Sequence, residues 1–498
     1  MQSVVRSVRT RRILGAAVVG VALLVPTACG GSALSPQAVQ SANNAVNGGG
    51  NGNGNVANPN GTGTGTTGTG TTGTGTTGTG TTGTGATGTG ATGTGSTGTG
   101  STGTGSTGTG SSAPAGSAVK AGSCAGFKNT NGITNTTIPI GNSSDISGPV
   151  PGLFTAAQQA TKAYVQYFNA TSSICGRKLV LTNLDSRTDA GADQQSYQKL
   201  CESTFAAVGS MSAFDSGGAG VAQGCGLPDM RTASVTAARN NCNSCFGAQA
   251  TGPHEFSNAV PDFIVKSYKS ASQKAAFLYL NAGAAAENGK YQQKVEEQRG
   301  MKFVYSSGID VADFNYGPYV QAMKSKGVQY VQFIGAYQQS VRLAQAMQAG
   351  DFHPQVRMYD PSVFDVNFLK TGGSAIEGAF VFINFTPPTD NQPELNLYRK
   401  WLQQVAPGAD PTFFGEFAWS AAKLFVEKSI ALGGKLNRAS LSAAIKGVHN
   451  WTGGGMHGPM DVGGKHSPSC VRFMQVKGGK FVPLGSTSYT CHGASVGR

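Results

Sequence analysis

From Thr136 onward, short apolar runs alternate with stretches whose apolar residues recur every three or four positions. Thr137–Gly141 predicts a strand. Leu153, Ala157, Ala160, Tyr164 and Tyr167 then fall at helical spacing, ending near Asn169. Arg177–Asn183 predicts a strand, Ala190–Glu202 a helix and Phe205–Gly209 a buried strand. A Gly/Pro/Asn-rich passage around Cys242–Pro253 interrupts the series, which then restarts. Helices are expected at Pro261–Ser272, Ala286–Arg299, Tyr316–Ser325 and Tyr337–Ala349, interleaved with strands at Lys274–Leu280, Lys302–Ser307, Val328–Ile334, Val356–Tyr359 and Gly378–Ile383. Helices at Glu394–Val405 and Phe414–Leu432 precede two last strands, Cys470–Val476 and Lys480–Leu484. Strands alternating with helices of this length mean parallel sheets covered on both faces, so the fold class is α/β. Two series separated by a break imply two lobes, and the late helices and strands must complete both.

Composition isolates a different N-terminal region. Of 498 residues 74 are Gly and only 12% are charged. From Gly30 to Val119 there is no Asp, Glu, Lys or Arg, and most of that stretch repeats Gly-Thr. Such a segment cannot bury apolar surface and is expected to act as a spacer, roughly 50 Å end to end as a flexible coil of about 90 residues. Ahead of it, Arg6, Arg9, Arg11 and Arg12 precede the apolar run Ile13–Val25. That run falls short of the about 20 residues a spanning helix needs, and it suits the core of a signal peptide. Thr27-Ala28-Cys29-Gly30 resembles a bacterial lipobox, with Pro26 where an aliphatic residue is usual. Residues 1–28 are thus expected to be removed, Cys29 to carry lipid, and 29–123 to tether the folded part outside the cell membrane.

The net charge of +13 falls to +9 without the four N-terminal arginines, scattered and without a basic run or aromatic stripe, which argues against a nucleic-acid partner. Eight cysteines remain beside Cys29, an even number that suits disulfides outside the cytoplasm. Sequence does not choose among the pairings; the nearest-neighbour set, Cys124 with Cys175, Cys201 with Cys225, Cys242 with Cys245 and Cys470 with Cys491, is expected. The Cys242–Cys245 spacing also fits a redox or zinc motif, but it falls in an Asn-rich loop without a second ligand pair.

Catalytic signatures do not hold. Gly209–Ala213 lacks the closing Gly of a nucleophile elbow, and His254-Glu255 lacks the His that would complete a zinc helix. Gly463-Gly464-Lys465 lacks the upstream Gly of a P-loop. His449, His457 and His466 share a Gly-rich region, where loop histidines on a solvated surface are commoner than a metal cluster. Neither enzyme activity, cofactor nor metal is expected. Binding is better supported: the strand-to-helix turns Asn142–Gly148, Gly209–Ala213 and Thr232–Thr236 are rich in Ser, Thr and Gly, and amides at helix starts hold anions.

The order and spacing of several segments resemble the branched-chain amino-acid-binding, or type I periplasmic-binding, proteins of ABC importers. They are Ile140–Gly148 with the helix ending Tyr167-Phe168-Asn169, Cys175–Asp185, Val208-Gly209 before a Ser-rich turn, Val331–Tyr337, and the Gly-Lys-Phe-Val ending at Val482. The resemblance implies two lobes joined by three crossings, with 124–255 and 384–455 in lobe one and 256–383 and 456–498 in lobe two. It implies a small polar solute, an amino acid or a related amide or acid, gripped between lobes that close and then present it to a membrane permease. Ser212, Ala213, Ser234, Val235 and Thr236 match the family's carboxylate-holding turns, Ser147 belongs to the opening turn, and Tyr337 matches a cleft aromatic. The Glu that pairs with the ligand ammonium in the family has no counterpart; Asp360 and Asp365 occupy that turn, which leaves an ammonium-bearing ligand open. A monomer is expected. A lipid-anchored sensor or interaction module on the same fold, and less so a secreted hydrolase, are the alternatives.

Overall fold

The computed structural model describes residues 119–498. The expected signal peptide, Cys29 and the tether up to residue 118 lie outside the described residues.

The first lobe is built on five parallel strands, β1 (Thr137–Ser144), β2 (Lys178–Asp185), β3 (Ala206–Val208), β4 (Asp229–Ala233) and β5 (Cys245–Gln249), in the spatial order 2-1-3-4-5. The helices between them are α1 (Thr155–Thr171), α2 (Ala190–Ser203), α3 (Ser216–Gly224) and the single turn α4 (Ala237–Asn240). Two of the strands escape a reading of apolar runs. β4 carries Asp229 and Arg231, which look solvated in sequence yet are fully buried and paired with each other. β5 is Cys-Phe-Gly-Ala-Gln, short of the β-branched residues that mark strands. It lies inside the Gly/Pro/Asn-rich passage expected to be a break, and Cys245, expected in a loop, opens it.

The chain then leaves this sheet through β6 (Glu255–Ser257) and enters the second lobe. There follow α5 (Ala259–Ser267), α6 (Lys269–Ser272), β7 (Ala275–Leu280), α7 (Gly283–Gln298), β8 (Phe303–Ile309), α8 (Gly317–Ser325), β9 (Tyr330–Ile334), α9 (Tyr337–Ala349), β10 (Val356–Tyr359), α10 (Val366–Gly372) and β11 (Phe380–Ile383). The helix expected over Pro261–Ser272 is interrupted at Tyr268, which has φ −134° and breaks the helical backbone. A second crossing leads to α11 (Pro393–Val405) and α12 (Phe413–Leu432), which return to pack on α1, and to α13 (Arg438–Lys446). A third crossing delivers β12 (Cys470–Lys477), β13 (Lys480–Pro483), β14 (Thr490–Cys491) and β15 (Ala494–Val496) to the second lobe. Its sheet runs β13-β12-β11-β10-β9-β7-β8, parallel from β11 to β8, with β12 and β13 antiparallel at one edge. That hairpin turns at Gly478-Gly479, both at positive φ, as a tight two-residue turn requires. β15 pairs with β6, so the C-terminus locks onto the first crossing.

The third crossing falls later than the expected boundary at 455. Gly463 N donates to Val448 O (2.8 Å) and Lys465 Nζ to Asn240 O (2.9 Å), which keeps these residues on the first lobe. At the other end, Gly122 N donates to Ile430 O (2.9 Å), so chain packing against α12 begins just before Cys124. Trp419 centres the first-lobe core, edge-on to Tyr164 (4.7 Å between rings), with its indole N–H on Glu394 Oε1 (2.8 Å). The four disulfides are 124–175, 201–225, 242–245 and 470–491, the nearest-neighbour set.

Candidate functional site

The carboxyl ends of both sheets meet where the two lobes touch, and the turns there are fixed from within. Gly209 ends β3 at φ +69°, where a Cβ would lie 2.0 Å from Thr161 Oγ1; only glycine lets the chain turn there. Met211 N then donates to Ser143 O (3.0 Å) and to Ser144 Oγ (3.1 Å), which sets Ser212 and Ala213 beside the end of β1.

Two buried carboxylates fill the turn amides of the first lobe. Asp145 Oδ2 accepts from Ala213 N (2.8 Å), and Oδ1 accepts from Ser186 Oγ (2.5 Å) and Thr188 N (2.9 Å). Burial pushes its pKa up, against the pull of those donors and of Ser212. Asp215 Oδ2 accepts from Val235 N (2.9 Å) and Oδ1 from Thr236 Oγ1 (2.6 Å), while Arg231 Nη2 stands 3.8 Å away. Thr236 also caps α4, accepting from Arg239 N (3.3 Å). Ser147 stands apart from these turns, exposed, its hydroxyl donating to Asp185 Oδ2 (2.5 Å). Burial raises the Asp185 pKa, but bonds from Ser147, Ile146 and Arg187 outweigh it and hold the carboxyl below its usual value.

The second lobe reaches across with the start of α7. Gly283, at φ +49°, comes so close to Ala213 that a Cβ would sit 2.4 Å from its carbonyl oxygen. Ala284 N donates to Ala213 O (2.9 Å), Ala237 N to Glu287 Oε1 (2.8 Å), and Asn288 Nδ2 to Val235 O (2.9 Å). On the same lobe, Tyr337 opens α9 half-buried, and burial followed by the charge of Asp365 raises its pKa. Asp365 itself caps α10, accepting from Asn367 N (2.6 Å). Asp360, in the turn after β10, bonds to Ser362 Oγ (2.6 Å); burial outweighs that bond and lifts its pKa to about 7. The 3-10 turn that follows, Pro361–Val363, packs against α12. Beyond it Phe364, Phe385, Phe413, Phe414 and Phe154 form an edge-to-face and tilted aromatic row from the second lobe through the second crossing to the first.

Of the expected residues, Ser212, Ala213, Ser234, Val235 and Thr236 lie on the first-lobe turns after β3 and β4, and Tyr337, Asp360 and Asp365 belong to the second lobe. Asp145, Asp215, Gly283, Glu287 and Asn288 were not singled out from sequence. The first two lie within or directly after the Ser/Thr turns, and a carboxylate among unpaired amides is itself a signal for internal capping. A pocket of about 450 Å³ lies elsewhere, between Asn131, Gln223 and Arg438, and the guanidinium of Arg438 is spent on the carbonyls of Phe205, Cys225, Cys201 and Thr204. The three loop histidines have separate partners: His449 bonds to Asp461, His466 to Glu255 (3.0 Å), and His457 is buried beside Phe417 and Trp451. Among the described residues, no group of His, Cys, Asp and Glu is placed to hold a metal ion.

A family model described as "periplasmic binding protein" matches residues 137–480, and the chain belongs to that family. Proteins of this family are extracytoplasmic, non-enzymatic components of transport that bind small molecules and work with ABC permeases. Solved structures agree in fold. A leucine-binding protein of Thermotoga maritima superposes with a TM-score of 0.60 at 15% identity, covering 70% of this chain and 98% of that one. A fatty acid ABC transporter substrate-binding protein of Thermomonospora curvata gives 0.60 at 17%, covering 73% and 96%. A solute-binding protein of Rhodopseudomonas palustris, in complex with p-hydroxybenzoic acid, gives 0.59 at 19%, covering 72% and 98%. No curated protein matches. Together these define a two-lobed type I periplasmic-binding fold with three crossings.

Proposed function

We propose that this protein is the solute-binding lipoprotein of an ABC importer, held at the outer face of the cell membrane by lipid on Cys29 and the Gly/Thr tether. It captures a small polar solute between the lobes and hands it to the permease unchanged. The observation that supports this reading is the meeting of the carboxyl ends of two α/β sheets, joined among the described residues by hydrogen bonds of Ala284, Glu287 and Asn288 at the start of α7. Parting the lobes breaks those bonds and exposes polar turns. Closing them over a solute excludes water and strengthens every polar contact within. Ser212, Ala213, Ser234, Val235 and Thr236 face the solute from one lobe, and Tyr337 and Asp360 from the other.

A thermal-shift panel of amino acids, amides, amines, sugars and small acids tests the binding step. A true solute at 100 times its Kd adds about 2.7 kcal/mol, and its shift grows with the logarithm of concentration. Silence across the whole panel would remove the transport reading. Cys29→Ala should release the protein from the membrane fraction without changing its melting temperature.

A further inference from the structure

An anion binds at the start of a helix because the amides there lack partners. Where the lobes meet, the amides that would serve are already taken. Asp145 holds Ala213 N and Thr188 N, and Asp215 holds Val235 N together with the Thr236 hydroxyl. A carboxylate arriving at either turn would have to displace an aspartate and would then face its charge at close range. The two turns are therefore closed to the chemistry that Ser/Thr-rich helix starts usually offer.

The remaining groups ask for donors. Charged residues on the turns where the lobes meet include the buried Asp145 and Asp215, Glu287 with His254 3.8 Å away, and Asp360 and Asp365. Arg187 is exposed after β2. Arg231 is buried behind Asp215, where it also pairs with Asp229. Asp145 and Asp360 have no cationic partner among the described residues. On the first turn of α9, beside Tyr337, the side-chain carbonyl oxygens of Gln338 and Gln339 are buried without a donor, and Gln339 is only 5% exposed. On the first lobe, Phe214 comes within 3.3 Å of the position a Cβ on Gly283 would take, so aromatic rings stand in both lobes. Rings and carboxylates together attract cations.

Resting on the solute-binding reading above, we propose that the site between the lobes selects a small organic cation, an amine or guanidine that donates several hydrogen bonds and carries no carboxylate. Its nitrogen meets Asp360 and the acceptor oxygens at the start of α9, and its carbon chain lies against Tyr337.

Isothermal titration calorimetry on the full chain tests this with putrescine, agmatine and butylamine against leucine, 4-hydroxybenzoate and hexanoate. At pH 8, where Asp360 is ionised, at least one amine should bind, more weakly at high salt, while the three carboxylates give no heat. Asp360→Asn should weaken that amine at least tenfold. Tyr337→Leu, which removes the ring without touching a charge, should weaken it too. Binding of leucine or 4-hydroxybenzoate but of no amine overturns the cation assignment and leaves the solute-binding reading standing. An amine that binds Asp360→Asn and Tyr337→Leu as well as the native chain overturns it equally. Silence from amines and from the broader thermal-shift panel removes both.

Discussion

Arg239 pairs with two buried carboxylates at once. Its Nη2 lies 3.0 Å from Asp193 Oδ2 and its Nη1 2.9 Å from Asp229 Oδ2, Nε donates to Asp215 O (2.9 Å), and the guanidinium covers the Tyr197 ring. All three charged side chains are fully buried, so each is held as an ion by its partners, with Arg231 a second cation 3.3 Å from Asp229. Burial still lifts Asp193 to a pKa of about 6 against the pull of Arg239 and Arg231. Arg239→Leu should cost about 3–5 kcal/mol in urea unfolding, because it strands Asp193 in the interior and leaves Asp229 with Arg231 alone. Lysine should not rescue it, since one ammonium cannot span both partners in a planar fork. Two other residues set opposite pH limbs. Burial depresses His457 to a pKa of about 4, so the unfolded chain takes up its proton first and stability falls as pH drops from 6.5 toward 4. Asp360 is raised to about 7, so the folded chain holds its proton longer and stability falls as pH rises from 3.8 toward 7. In the native chain these opposing slopes largely offset each other between pH 4 and 6.5, so stability should fall with rising pH in His457→Asn and rise with it in Asp360→Asn, read from melting curves across that range. Unchanged profiles would mean that neither side chain is buried as described.

At the level of elements, the turn after β3 depends on one glycine. Alanine at 209 must adopt φ +69° and crowd Thr161 Oγ1, so Gly209→Ala should cost about 1–3 kcal/mol and shift Ser212 and Ala213 as well. A stability loss with unaltered solute affinity would show that the turn does not position residues that touch the solute. The elements that sequence reveals are those whose side chains report their surroundings. α9 matches its expected ends, Tyr337 and Ala349, because its buried Val341, Leu343, Ala344 and Met347 repeat at helical spacing. β4 is hidden because Asp229 and Arg231 satisfy each other internally, and β5 because small residues buried on both faces leave no alternation. The site was legible to the same degree. Ser/Thr-rich turns at strand ends marked where the lobes meet, but residue type does not name a partner, and Asp145 and Asp215 take the donors those turns offer. The late boundary of the third crossing stayed hidden for a related reason: Lys465 belongs to the first lobe through the carbonyls of Asn240 and Cys242 and the ring of Phe246, all brought close by folding.

Across the whole molecule, the lobes are joined unequally. On the side of the crossings, the aromatic row through Phe385, the pair Arg472–Asp390 (2.9 Å) and the bonds from His466 and Ser467 to Glu255 tie the segments together. Beside the first crossing, where His254 stacks on Tyr291 and lies 3.8 Å from Glu287, the start of α7 bridges the lobes through Ala284, Glu287 and Asn288. Opening about the crossings should break these α7 contacts. Each such bond contributes about 0.5–1.5 kcal/mol net, since water replaces it when the lobes part. Two of them removed together shift the balance between open and closed forms by about 5- to 150-fold, without touching either lobe's core. The double variant Glu287→Ala, Asn288→Ala should thus show a larger radius of gyration by small-angle scattering without solute, at a nearly unchanged melting temperature. A solute that closes the lobes must then supply the lost contacts itself, so its affinity should fall by the same factor while saturating concentrations restore the compact form. If the variant scatters like the native chain and binds solute equally well, the α7 contacts do not govern closure.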